Sequence, residues 1–161
     1  MIEINNQLLN EVSEKAKSAQ RKRINYNFHK EMSDPLHRMI NALEPGTYVR
    51  PHKHENPDKM ESFIILRGKI LVVVFHDSGE IKNYCILDQE KGKFGVEIAP
   101  GEFHTIIALV PDSAVYEVKN GPYSAADDKN FASWAPAEGA PGSDDYMNAL
   151  LEKLNIKVPV S

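Results

Sequence analysis

The sequence of 161 residues has a single cysteine, Cys85, and no Asn-x-Ser/Thr acceptor for N-glycosylation. One cysteine excludes an intrachain disulfide, and nothing indicates a secreted glycoprotein. No apolar run approaches the roughly 18 residues of a membrane span, and the first residues lack the basic flank and apolar centre of a secretory signal. We therefore expect a soluble, cytoplasmic protein with no membrane partner.

Excess positive charge is also missing. The 19 basic residues are outnumbered by 23 acidic ones, for a formal net charge of −4. Nucleic acids and anionic membrane surfaces call for a basic patch, so we expect no nucleic-acid partner. The one basic triplet, residues 21–23, follows a predicted helix and is either a solvated helix end or an anion site. No glycine-rich phosphate loop and no internal repeat is present.

The length and the hydrophobic pattern predict one domain, mainly β, spanning residues 1–161. Apolar residues recur at helical spacing over residues 6–19, and again over residues 144–154, where Ser143 can cap the helix. Between these helices lie many short β-branched runs separated by turns, which predicts an antiparallel sandwich or barrel. The predicted parts are an N-terminal helix (1–23), a β-barrel core (24–120) and a C-terminal strap and helix (121–161).

Several strands can be predicted individually. Residues 24–29 alternate, with Tyr26 on the apolar face and Asn25, Asn27 and His29 on a polar face that lines a pocket or faces water. Further strand signals are the runs 70–75 and 81–87, which predict a hairpin, and the apolar pair 105–110 and 114–118.

The strap, residues 121–143, combines proline and glycine with two aromatic side chains, Phe131 and Trp134. A polar linker would not need these aromatics, which favours an ordered strap that packs over the domain or over a partner subunit. The alternative is an exposed, flexible arm. Because sandwich-type barrels often pair through an edge, we expect a homodimer.

The stretch from Gly46 to Gly68 carries the strongest chemical signal. His52 and His54 share one face of an extended strand, roughly 7 Å apart along it, so both rings can reach one ion. Glu61 begins the next apolar run and can supply an oxygen ligand from a neighbouring strand. The alternative is two solvated histidines and a surface carboxylate.

A fourth candidate, His104, follows a Pro100-Gly101 turn, whose geometry fixes where the imidazole points. With His52, His54 and Glu61 it gives three nitrogens and one oxygen, a set suited to Fe, Mn, Ni, Co, Cu or Zn rather than to Ca or Mg. Four protein ligands would leave one or two positions of an octahedral ion open for a substrate.

The order Gly46-x5-His52-x-His54-x6-Glu61-x6-Gly68, followed by Gly95-x4-Pro100-Gly101-x2-His104, resembles the two sequence motifs of the cupin superfamily. The resemblance implies a double-stranded β-helix, a jelly-roll barrel, with one divalent transition metal (Fe, Mn, Zn or Ni) inside it. The implied metal ligands are His52, His54, Glu61 and His104.

A narrower likeness covers nearly the whole chain. The WbuC-type cupin-fold metalloproteins are similar in four segments: 23–29, 45–54, 117–123 and 134–139. Some members of that family are encoded in bacterial O-antigen and surface-polysaccharide clusters. The likeness implies a sugar or nucleotide-sugar ligand and leaves the reaction undefined.

Three functions are compatible with this pattern. The first is an isomerase or epimerase in which the metal acts as a Lewis acid on a small polar ligand. The second is an iron-dependent dioxygenase, and the third is a non-catalytic, metal-dependent binding module. Arg50 is predicted to contact the ligand because strand alternation places it on the side of both histidines, and His29 and Tyr26 are further candidates. The sequence identifies no catalytic residue beyond these.

Overall fold

A computed structural model describes residues 1–124 and 128–158. Within these ranges it contains two α-helices, ten β-strands and one short 3-10 helix, Gln89–Lys91. The helices are α1 (Asn6–Ser18) and α2 (Ser143–Lys153). The strands are β1 (Arg23–Asn27), β2 (Leu36–Leu43), β3 (His52–Lys53), β4 (Glu61–Arg67), β5 (Ile70–Phe75), β6 (Ile81–Leu87), β7 (Gly95–Ile98), β8 (Phe103–Ala108), β9 (Ser113–Asn120) and β10 (Asn130–Phe131).

The strands form two antiparallel five-stranded sheets, ordered β1-β2-β9-β4-β7 and β10-β3-β8-β5-β6. The hairpin predicted from residues 70–75 and 81–87 is confirmed, since β5 pairs with β6 along its length. The strands β8 and β9 are neighbours in sequence but belong to different sheets. The two apolar runs on either side of Pro111 therefore connect the sheets instead of pairing with each other.

The space between the sheets is apolar at one end and polar at the other. Along β9, alternate side chains point inward: Val115 belongs to the apolar core, while Glu117 and Lys119 line a cavity. The same order runs along β4 and β8: Ile65, Phe63 and Glu61 on the first strand, and Ala108, Ile106 and His104 on the second. The polar end of the barrel is therefore where a site can form.

The helix α1 covers the outer face of the first sheet. The predicted helix over residues 6–19 is confirmed, and Asn5 caps it by accepting a hydrogen bond from the backbone N–H of Leu8. Its apolar stripe packs on the sheet through one buried cluster: Leu9, Val12 and Ala16 of the helix with Ile40, Ala42 and Ala114 of the strands.

The helix α2 covers the outer face of the second sheet, but the prediction that Ser143 caps it is wrong. Ser143 is the first helical residue, and the cap position is Gly142, at φ 86° and without a side-chain cap hydrogen bond. Glycine adopts this left-handed conformation without strain, which moves the helix start one residue earlier than predicted. The packed residues are Met147, Leu150 and Leu151 of α2 with Leu71, Val73 and Ile107 of the sheet.

The described part of the strap packs against the barrel. Within it, β10 adds to β3, with Phe131 opposite His52. Trp134 contacts the rings of Phe75 and Phe103 and donates its indole N–H to the carbonyl of Asp77. This agrees with the interpretation of an ordered strap over the domain. Residues 125–127 and 159–161 of the predicted C-terminal part lie outside the described residues.

Candidate metal centre and its cavity

Four buried side chains meet at the polar end of the space between the sheets. His52 opens β3 with His54 just beyond it, Glu61 begins β4, and His104 lies on β8 opposite His52. One ligand atom from each lies within 4.8 Å of all the others. None of the four residues is more than 4% exposed. The structure thus brings together the four residues that the sequence predicts as metal ligands.

The three imidazole rings are held in one tautomer by backbone carbonyls. Because a carbonyl only accepts, each ring must donate from Nδ1, which leaves Nε2 of the neutral ring unprotonated. Metal-ligating histidines are held in the same way. The pairs are His52 Nδ1 with the Arg50 carbonyl at 3.0 Å, His104 Nδ1 with the Glu102 carbonyl at 2.9 Å, and His54 Nδ1 with the Asp128 carbonyl.

The free ring nitrogens converge on the carboxylate. Nε2 of His104 and of His54 lie 2.8 Å and 3.2 Å from Oε2 of Glu61. A ring with its proton on Nδ1 and an ionised carboxylate both present lone pairs here, and these are the groups that a metal cation binds. Burial and the charge of Lys129 hold the pKa of His52 well below its ordinary value, so this ring stays neutral. Burial would raise the pKa of Glu61, but its contacts with the two histidines keep it well below its usual range. The donor set fits a divalent transition metal.

A second carboxyl group, Glu117, lies beside Glu61 and accepts a hydrogen bond from Nδ2 of Asn41 at 3.0 Å. Burial, reinforced by the charge of Glu61, raises the pKa of Glu117 to about 8. Its carboxyl therefore holds a proton near neutral pH and can donate it to Glu61. Sequence reasoning missed this residue. The available signal was its position two residues after Val115 on an apolar strand, which places it on the same inward face.

Asp128 ties the strap to the metal cluster. Its carboxylate accepts hydrogen bonds from Lys59 at 2.7 Å and from Lys119 at 2.8 Å, and its carbonyl accepts the one from His54. Burial would raise the pKa of Asp128, but the two ammonium groups keep it low. We call Asp128, Lys59 and Lys119 the latch, and each of them is at most 5% exposed.

Three of the four cluster residues, His52, Glu61 and His104, line a cavity of about 580 Å³. Asn25 and Asn27, on the polar face of β1, line this cavity. Of the two alternatives for that face, a pocket or solvent, the structure shows the pocket. His29 also lines it, with its ring stacked on His37 at 4.0 Å between centroids. The structure does not bring Tyr26 to the cavity, because Tyr26 points to the other face of β1 and packs with α1.

Arg50 lines the cavity, as the strand alternation predicts. Its guanidinium donates to the carbonyl of Ala132 at 2.7 Å and lies 5.3 Å from the ring centroid of Phe131. These contacts come from the strap, so Arg50 holds the strap as well as facing the cavity.

Residues 4–87 match the family described as a domain of unknown function, DUF6016, over just over half of the chain. The chain belongs to this family. No curated protein gives a significant match to the sequence. The DUF6016 match includes three of the four clustered residues, and His104 lies beyond it.

Three solved structures show the likeness in fold. KdgF from Halomonas sp. is 17% identical with a TM-score of 0.50, over 65% of this chain and 83% of KdgF. L-ribose isomerase from Cellulomonas parahominis is 14% identical with a TM-score of 0.53, over 70% of each chain. CapF, solved with the inhibitor 3-isopropenyl-tropolone, is 25% identical with a TM-score of 0.53, over 65% of this chain and 30% of CapF.

These neighbours are cupin-fold proteins, and the two facing antiparallel sheets match theirs. The predicted fold class, a mainly β cupin jelly roll with an N-terminal and a C-terminal helix, is confirmed. In the part of the chain that the structure describes, neither helix has the length and apolar character needed to span a membrane.

Proposed function

We propose that this DUF6016 protein is a cupin metalloprotein that holds one divalent transition metal, Fe, Mn, Zn or Ni, through His52, His54, Glu61 and His104. The observation that carries the proposal is the convergence of three buried imidazoles and one buried carboxylate, whose ligand atoms all lie within 4.8 Å of one another. Three imidazoles and one carboxylate in a buried site form a ligand set that suits a divalent transition metal.

The ligand that we propose is a small polar molecule, a sugar or nucleotide sugar of bacterial surface-polysaccharide metabolism. The cavity of about 580 Å³ is of the size that such ligands occupy. Asn25, Asn27 and Asn41 line it with carboxamides, which both donate to and accept from hydroxyl groups. The WbuC-type likeness supports this ligand class, as does CapF from Staphylococcus aureus, a capsular polysaccharide assembling protein.

The proposed activity is isomerisation or epimerisation. A bound divalent ion would supply Lewis acidity toward a carbonyl or hydroxyl of the ligand. Glu117 holds a proton beside Glu61 at the cavity surface and is our candidate for proton transfer. Arg50 and His29 are the proposed ligand contacts among the residues predicted from sequence. All four proposed metal ligands are buried in the barrel.

A screen of sugars and nucleotide sugars against the metal-loaded protein tests this proposal. We expect saturable binding by calorimetry and interconversion of the bound sugar by NMR. The double variant His52→Ala, His54→Ala should lose both, while His76→Ala serves as the matched control because His76 is exposed and outside the cavity. Binding without conversion would favour the non-catalytic module, and equal binding by the double variant would contradict the proposal.

A further inference from the structure

The cavity carries more positive charge than the protein as a whole. Five cationic side chains line it against four carboxyl groups, in a chain whose formal net charge is −4. The concave wall therefore concentrates positive potential inside the barrel. The cations are Arg21, Arg23, Arg50, Lys119 and Lys129.

Four of these five cations have a partner in the protein. Arg21 and Arg23 both pair with Glu138, the second at 2.6 Å. Arg50 donates to a strap carbonyl, and Lys119 belongs to the latch. Among residues 1–124 and 128–158, nothing forms a hydrogen bond or an ion pair with Lys129. Within the described part of the chain, Lys129 is therefore the one of these five cations without a partner.

Lys129 lines the same cavity as His52, Glu61 and His104 of the metal cluster. Its charge helps to lower the pKa of His52, and the carboxyl groups of Glu61 and Glu117 act on Lys129 in turn. Lys129 is an exposed residue of the cavity wall, and partial desolvation there lowers the pKa of its ammonium. An anionic group that enters the cavity would form a charge-assisted hydrogen bond with this ammonium.

Glu61, whose charge acts on Lys129, is also one of the four residues of the metal cluster. A bound metal would therefore compete with Lys129 for the charge of Glu61. A ligand that brings negative charge would supply the ammonium with a partner of its own.

The backbone holds Lys129 in place from both sides. The preceding residue, Asp128, is fixed by the latch, and the following residue, Asn130, begins β10, which pairs with β3. Asn130 also donates from Nδ2 to the carbonyl of Glu55 at 2.9 Å. Lys129 is thus presented to the cavity from an anchored segment.

We propose that Lys129 binds an anionic group, a carboxylate or a phosphate, on the ligand of the metal centre. This deepens the function proposed above and rests on it, because it places the ligand among acidic or phosphorylated sugars rather than neutral ones. Asn25 and Asn27 on β1 then face the hydroxyl groups of the same molecule. Lys129 sets the ligand class, and the cluster supplies the chemistry.

Calorimetric titration of the metal-loaded protein with inorganic phosphate, D-glucuronate and D-glucose tests the inference. The phosphate and glucuronate arms separate the two sources of negative charge. We expect at least one of the two anions to bind, and Lys129→Gln to weaken it by about tenfold or more, as for loss of a charge-assisted hydrogen bond. Lys129→Arg should keep most of the affinity, and Lys91→Gln, at an exposed lysine outside the cavity, should change nothing.

The outcomes separate this inference from the proposed function. If neither anion binds, or if Lys129→Gln binds anions as tightly as the unaltered protein, the inference is wrong while a metal-loaded protein still supports the proposed function. If the protein takes up no metal, the proposed function fails. Titration of phosphate into the metal-free protein and its Lys129→Gln variant then decides whether Lys129 binds anions.

Discussion

His54 donates a hydrogen bond from Nδ1 to the backbone carbonyl of Asp128, a residue 74 positions further along the chain. The carboxylate of the same Asp128 is held by Lys59 and Lys119. One strap residue therefore orients an inner imidazole through its backbone while its side chain fixes that backbone. The position of His54 Nε2 depends on the latch.

Replacing Asp128 by Asn tests this dependence. Two buried ammonium groups would lose their counter-charge, which we expect to cost about 3–5 kcal/mol in the free energy of unfolding. Because the carbonyl that orients His54 is then less well held, metal affinity should fall by about 10–100-fold. Denaturant unfolding and a competitive metal titration measure the two effects. Asp145→Asn, at an exposed position of α2, is the control, and an unchanged metal affinity in Asp128→Asn would contradict the role of the latch.

Glu117 makes the stability of the metal-free protein depend on pH in a defined direction. Burial raises its pKa in the folded state above the unfolded value of 4.5, so the unfolded chain gives up this proton at lower pH than the folded protein. Stability from this group is complete below pH 4.5 and is lost as the pH rises toward 8. Glu117→Gln, which stays neutral, should therefore gain stability relative to the unaltered protein between pH 5 and about 8.

Denaturant unfolding of both proteins across this range provides the measurement, with Glu97→Gln as the control at an exposed carboxyl group on β7. If the difference in the free energy of unfolding between Glu117→Gln and the unaltered protein does not change with pH, Glu117 is already ionised in the folded protein.

The stacked pair of His29 and His37 predicts a loss of stability toward acid. Burial, and then the charge of His29, lower the pKa of His37 below its ordinary value of 6.5, and Lys119 and Lys59 act in the same direction. The folded protein favours the neutral ring of His37. The contribution of His37 to stability is therefore present above pH 6.5 and is lost as the pH falls through the lowered pKa. In His37→Gln we expect a shallower decline of the unfolding free energy between pH 7 and pH 5. The control His76→Gln, at an exposed residue, should keep the pH dependence of the unfolding free energy of the unaltered protein. If His37→Gln has the same pH dependence as His76→Gln, His37 does not change protonation on unfolding.

The sequence predicts the cluster better than its surroundings, for a physical reason. His52, His54, Glu61 and His104 are specified by local geometry, since a strand period of two and a tight turn determine where these side chains point. Asp128 reaches the cluster only through the tertiary packing of the strap. No local pattern near residue 128 contains that information.

The strand β1 shows a related limit. Its alternation is correct, with Tyr26 opposite Asn25 and Asn27, but α1 covers one face and the cavity borders the other. Alternation alone cannot tell which covered face is the functional one. Glu117 was missed because a charged residue on an apolar strand is usually placed at the surface, whereas here the barrel interior changes from apolar to polar along the strand.

Elemental analysis of protein purified without an affinity tag tests whether His52, His54, Glu61 and His104 bind a metal. We expect one equivalent of a divalent transition metal per chain, its loss in the double variant His52→Ala, His54→Ala, and its retention in His76→Ala. A double variant that keeps a full equivalent of metal at neutral pH, or an unaltered protein that takes up no transition metal when it is supplied, would contradict the proposed metal centre.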